Sequence, residues 1–266
     1  MTNHRMLALG VVALTTLGTV AGAQSAQSRI AAVRDGQVRF TFNLRPEVCG
    51  SGQNIWRNRG GSSRTTWGND RRSRDVEYDM DCDSGPGRIV IDKDRGEIID
   101  MRFYVGGRWR ANPTATDLGQ LGTRETADLL LHISRTEDNK AGRNAIFPLT
   151  VIDSVDIGPD LLRVARDDTR PRETRKQAVF WLGQLAEGPA TAGLRDLVGE
   201  DALDRDVREQ AVFALSQRPK DEGVPALINI VRTNRDPELR KKALFWLGQS
   251  GDPRALDLIE ELLTRR

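Results

Sequence analysis

Residues 175–184 read RKQAVFWLGQ, residues 208–217 read REQAVFALSQ, and residues 240–249 read RKKALFWLGQ. The shared Ala falls at Ala178, Ala211 and Ala243 and the shared Phe at Phe180, Phe213 and Phe245, so the phrase recurs after 33 and then 32 residues. A period in the low thirties belongs to stacked helix pairs, units too small to bury their apolar face without neighbours. Ala145 stands 33 residues before Ala178 and, with Ile146 and Leu149, opens a degenerate copy. Leu161, Leu194, Leu227 and Leu256 open the alternate helices, followed three residues on by Val164, Leu197, Ile230 and Ile259. Asp236-Pro237 and Asp252-Pro253 have the form of helix starts, and Thr169 with Pro171 comes close to it. The expectation over 124–266 is a short α-solenoid of about nine helices.

Upstream the period falls to two. Val38, Phe40, Phe42 and Leu44 alternate with polar residues, as do Val76, Tyr78, Met80 and Cys82. Ile89, Val90 and Ile91, then Lys93-Asp94-Arg95-Gly96, then Ile99, Met101, Phe103 and Val105 read as a hairpin. Residues 28–110 are expected to form a small β-rich domain, and 111–123, with Asn112, Pro113, Gly119 and Gly122, a linker to the helices. Between Ser51 and Arg74 six Arg meet one Asp, with Trp56 and Trp67 interleaved. Arginine with aromatics suits single-stranded nucleic acid. In a chain directed for export a surface loop is the expectation instead, with no nucleic-acid partner.

Export is read from the N-terminus. Arg5 precedes an apolar run from Leu7 to Val20, followed by Ala21-Gly22-Ala23. A basic start, a short apolar core and an A-x-A end describe a signal peptide over 1–23, cleaved after Ala23. The run is too short for a membrane span of about 20 residues. The expected location is periplasmic or secreted, with no transmembrane segment after cleavage. In such a compartment Cys49 and Cys82, the two cysteines of the chain, are expected to pair.

Catalytic chemistry finds little to work with. Beyond the leader the one histidine is His132, between Leu131 and Ile133, which removes two-His metal sites and gives no nucleophile a plausible base. Asp79, Asp81 and Asp83 start like a calcium loop, but Ser84 and Val90 occupy the positions that require Gly and Glu. An acidic enzyme or metal site at these three residues is the alternative to a binding scaffold. A net charge of +2 from 40 basic and 38 acidic residues points to no polyanion. We expect no cofactor and no catalysis.

Arg175 and Arg208 with the Ala that follows, the Leu182-Gly183 pair, and GDPRAL at 251–256 resemble bacterial HEAT repeats, of the variety also seen in phycobilisome lyases. The resemblance spans roughly 124–266 and implies an armadillo-like helical scaffold for protein–protein interaction. Bilin chemistry does not suit an exported chain, and residues 28–110 resemble no known family. On each second helix residues four apart share a face. Lys176, Phe180 and Gln184, then Glu209, Phe213 and Gln217, then Lys241, Phe245 and Gln249 are thus expected to line the concave side. There they either hold a protein or peptide partner or pack one repeat against the next. Trp181, Ala214 and Trp246 are expected in the core.

Overall fold

The structure is a computed structural model that describes residues 24–58, 64–67, 82–185 and 189–264. The signal peptide expected over 1–23, the strand expected around Val76 to Met80, and Asp79 and Asp81 lie outside the described residues.

Helix α1 (Ala26–Ala32) precedes strands β1 (Gly36–Phe42), β2 (Val48–Ser51), β3 (Asn54–Asn58), β4 (Arg64–Trp67), β5 (Gly87–Asp94), β6 (Glu97–Val105) and β7 (Thr116–Gln120). Ten helices follow among the described residues: α2 (Thr123–Thr136), α3 (Lys140–Asn144), α4 (Ile146–Leu149), α5 (Gly158–Arg166), α6 (Arg172–Gln184), α7 (Pro189–Gly199), α8 (Arg205–Ser216), α9 (Lys220–Thr233), α10 (Pro237–Ser250) and α11 (Pro253–Thr264). Nine were expected. The extra one arises because α3 and α4, joined through Ala145, share the place of a single second helix; Pro148 sits in the last turn, where it cannot extend a regular ladder.

The strands form a four-stranded sheet in the order β6-β5-β1-β7 and a three-stranded sheet β2-β3-β4. The expected hairpin is β5–β6, turned by Arg95 and Gly96, both at positive φ as a two-residue turn of this kind demands. One detail departs from simple alternation. The register slips between Asp92 and Lys93, Ile99 becomes the unpaired extra residue, and Ile98 takes the buried side while Ile99 is 53% exposed.

The stretch expected as a linker is largely structural. Within 111–123, β7 runs parallel to β1, Val38 opposite Thr116 and Arg39 opposite Asp117, with Leu118 and Leu121 buried. Its turn-like composition serves other ends: Asn112 bonds the amide of Thr114, and Gly119 takes positive φ at the bulge between Arg39 and Thr41. The folded region also begins before residue 28. Ala26 is fully buried and donates its amide to Glu125 of α2, a carboxylate at a helix N-terminus. At the other end of α1 the buried Lys93 donates from Nζ to the carbonyl of Ile30 at 2.8 Å, and burial pushes its pKa down.

The inner face of the large sheet (Val38, Phe40, Phe42, Ile89, Ile91 and Met101) packs on α1 to α4, and the same buried cluster continues through the helices to Leu258. In the helical half α5, α7, α9 and α11 stack as one row, and α6, α8 and α10 as the other. Arginines brace the turns between them, Arg175 and Arg208 buried and Arg240 half-buried. Arg208 donates to the Val198 carbonyl and to Asp201, Arg175 pairs with Asp204, and Arg240 donates to the carbonyls of Asn234 and Arg235. Arg218, also buried, reaches back across the repeat boundary to the Leu185 carbonyl and Thr191. Among the described residues no helix is long and apolar enough to cross a membrane.

Cys49 and Cys82 are joined, beside the bridge between Gly50 and Asp83; a second bridge, Gly52 to Val105, ties the small sheet to β6 of the large one. A crosslink across 33 residues is worth about 3–4 kcal/mol in the chain-entropy account. Cys82→Ser is therefore expected to lower the denaturant midpoint by a matching amount. Alkylation of the unreduced protein should add no label; two labelled thiols would refute the bridge.

Candidate functional site

The recurring Phe belongs to a longer system of rings. Phe180 and Phe213 stack at 6.4 Å between centroids and 9° between planes. Phe213 meets Trp246 at 5.0 Å, and Trp246 meets Phe245 at 5.0 Å. In the other direction Phe180 meets Trp181 at 5.0 Å, Trp181 stacks on Phe147 at 4.5 Å, Phe147 meets Phe103 at 5.6 Å, and Phe103 meets Phe42 at 5.9 Å. All seven separations fall in the range of favourable aromatic pairs, each worth roughly 0.5–1.5 kcal/mol beyond area burial. An unbroken aromatic seam thus runs from the sheet core along α4, α6, α8 and α10.

Exposure is greatest at its outer end, with Phe103 and Phe147 half-buried at the inner one. Phe42 is fully buried and Trp181 is 7% exposed; Phe180 and Phe213 are half-buried, and Phe245 is 56% exposed. The expected core position of Trp181 and Ala214 holds, whereas Trp246 is only half-buried. The reason lies in the stacking. Ala214 stands where the flanking repeats carry Trp, and Gly183 opposite it lets α6 and α8 close in. A Cβ on Gly183 would lie 2.8 Å from that of Ala214. Trp246 has no repeat beyond it among the described residues to complete its burial.

The polar companions of the seam are less uniform. Lys176 pairs with Glu173 and Lys241 with Glu238, each within its own helix. Glu209 pairs with Lys242 at 3.1 Å rather than with Lys241, so the link between α8 and α10 is displaced by one residue from the expected row. Gln184 is half-buried; Gln217 and Gln249 are exposed.

The seam opens at its inner end into a cleft of about 440 Å³ between the β-rich head and the helices. Met101, Phe103, Phe147 and Trp181 form its apolar lining, and Lys140, Arg143, Asn144 and Gln177 its polar one. Lys140 lies 3.6 Å from Asp100, while Arg143 has no ion-pair partner among the described residues. Sequence reasoning missed this cleft because its walls come from β3, β6 and three helices. The one signal that could have revealed it is Phe147, which stands 33 residues before Phe180 and is the Phe of the degenerate repeat.

The acidic alternative fares differently. Both carboxylate oxygens of Asp83 accept backbone amides, Gly107 at 2.8 Å and Gly85 at 2.7 Å, and these bonds hold its pKa below the usual range. Asp83 therefore clamps two loops. Among the described residues no group of three or more His, Cys, Asp or Glu is placed to hold a metal. His132 is exposed and lies 2.9 Å from the Gln27 amide nitrogen.

A family model described as HEAT repeats matches residues 200–266, the span of α8 to α11. Residues 200–266 are thus similar to HEAT repeats. The upstream helices α5 to α7 continue the HEAT array in the same register, with Arg175, Ala178 and Phe180 at the positions of Arg208, Ala211 and Phe213. No curated protein matches the chain.

The acidic groups that lock the HEAT turns set an acid limit on stability. The bidentate bond from Arg254 holds the pKa of Asp252 at about 2, and Arg254 also reaches the Lys220 carbonyl on α9. Hydrogen bonds from Thr191 and then Arg218 hold Glu222 down as well. A carboxylate whose folded pKa is depressed contributes stability above its unfolded pKa, near 4, and loses it as pH falls toward the folded value. Thermal melts should therefore drop between pH 4 and pH 2. Asp252→Asn should lower the melting temperature at pH 7 and flatten that acid slope; an unchanged slope would remove Asp252 from the account.

Proposed function

We propose that this HEAT-repeat protein is an exported scaffold or adaptor that holds a peptide or protein partner on the α6–α8–α10 face, which we take as the concave side of the solenoid. HEAT arrays present extended surfaces of this kind, and the repeat serves protein–protein contact. The observation that carries the reading is the half-open aromatic seam. Fully packed repeats would bury these rings, yet Phe180 and Phe213 stay half-buried and Phe245 is 56% exposed. Aromatic rings flanked by amides and paired charges suit an extended chain, because they offer contact area at little conformational cost and several hydrogen-bond groups. The cleft at the inner end, with its unpaired Arg143, gives such a chain an anchoring end. Export is supported by the leader-like residues 1–23 and by the Cys49–Cys82 bridge, which persists in an oxidising compartment.

The three Phe should separate in their behaviour. Phe245→Ser is expected to cost about 0.5–1 kcal/mol, little more than its pair with Trp246. Phe213→Ser, with a ring held between Phe180 and Trp246, should cost on the order of 2 kcal/mol, below the 3–5 kcal/mol of a fully buried Phe. A benzophenone side chain at position 245 should crosslink a protein in envelope extract, and Phe180→Ser should abolish that product. Crosslinking that survives Phe180→Ser would show that the partner does not lie along the seam.

A further inference from the structure

The face of the large sheet turned away from the core carries a second cleft, of about 620 Å³. Its floor is the outward set of side chains that alternates with the buried one: Gln37 and Arg39 on β1, Arg88 and Val90 on β5, Arg102 and Tyr104 on β6. Residues 106–112 form its wall. There the half-buried Trp109 ring meets two guanidiniums, Arg39 at 5.4 Å and Arg88 at 5.1 Å from its centre.

Five arginines line this cleft, and the chain itself satisfies three. Arg39 pairs with Asp117 at 2.9 Å and Arg102 with Asp92 at 2.7 Å; Arg88 donates to the carbonyls of Gly106 and Gly107. Arg108 and Arg110, exposed on either side of Trp109, have no side-chain partner among the described residues. The main chain between them is equally unengaged. The amides of residues 108–111 donate to no protein acceptor among the described residues, and the Arg110 carbonyl accepts only from Arg39.

The geometry points to this cleft as a docking site for an extended acidic peptide, whose carboxylates pair with Arg108 and Arg110 while its main chain runs beside residues 108–111. A guanidinium fork matches a carboxylate with two parallel bonds, as the neighbouring Arg102 takes both oxygens of Asp92, and Arg39 also holds a carboxylate through a single bond to Asp117. Unpaired backbone amides favour a peptide over an acidic sugar, since an added strand supplies the carbonyls they lack. Trp109, fixed by two cations beside it, gives the segment a rigid apolar contact. The site does not involve the aromatic seam and stands whether or not that seam binds a partner.

Fluorescein-labelled hexaglutamate, followed by anisotropy against the purified protein at low salt, tests the assignment. Arg108→Gln with Arg110→Gln should weaken binding at least tenfold and leave the melting temperature unchanged, because neither side chain has a hydrogen-bond or ion-pair partner among the described residues. Arg195→Gln with Arg235→Gln, the same charge change on exposed solenoid positions, should weaken it less than twofold, and Phe245→Ser should have no effect. Equal losses from the two arginine pairs would reduce the effect to net charge and overturn the site. So would tighter binding of an oligogalacturonate with six carboxylates, which would make the ligand a glycan. No binding by the unaltered chain, with binding restored by Asp79→Asn and Asp81→Asn, would mean that its own carboxylates fill the cleft, and would overturn docking of a partner.

Discussion

A helix pair of some thirty residues has more apolar surface than it can cover itself, and the architecture of this protein follows from that shortage. Each pair covers its neighbour, which moves the problem to the ends of the stack. At the N-terminal end the solution is a β-sheet. The inner face of β6-β5-β1-β7 lies against α1 to α4, and the buried cluster passes from sheet to helices without a break. The head is thus continuous with the array. Parallel pairing of β7 with β1 returns the chain to the sheet just before α2 begins, so the transition from strand to helix occurs inside the core.

Within the array, packing and polar bracing divide the work. Ala178, Ala211 and Ala243 are fully buried at the centre of each second helix, and Gly183 permits a close approach to Ala214. Around this apolar line the buried Arg208 and Arg218 and the half-buried Arg240 donate to carbonyls at the turns, where helix ends leave them without intrahelical partners. Ion pairs such as Arg166–Glu200, Arg172–Asp206 and Arg205–Asp236 then link one repeat to the next at the surface. These exposed pairs contribute little each, so register comes mainly from the buried contacts.

Much of this was legible in the sequence. The period located the stack, because each repeat must present the same Arg, Ala and Phe to the same neighbours. The alternation of Val38, Phe40 and Phe42 showed which face of β1 is buried, and the export expected from the leader-like N-terminus gave Cys49 and Cys82 a reason to pair. What escaped depends on relations between distant segments. Ile99 looked like a core residue until the register slip beside Lys93 turned it outward. Asn112, Pro113 and Gly119 have the composition of a hinge, yet they shape a bulged edge strand, and only pairing with β1 distinguishes the two. Leu256 matches Leu161, Leu194 and Leu227 in sequence, yet among the described residues no repeat lies beyond it. The cleft beside Trp181 needed walls from both halves of the chain.

That difference at Leu256 bears on how the molecule comes apart. Leu161 and Leu194 are fully buried and Leu227 is 1% exposed, while Leu256 is 62% exposed and Leu263 77%. The pair α10–α11 has a neighbour on one side only among the described residues, so it loses a single interface when it opens, whereas an interior pair must break two. Among the described residues a nearest-neighbour array of this kind opens most readily at α11, and opening travels toward the sheet, as a zip fastener runs from one end. Amide protection should therefore form a gradient rather than a plateau. The most exposed ring of the seam, Phe245, sits in the segment that opens first, so whatever rests against it also sets how often the zip begins to run.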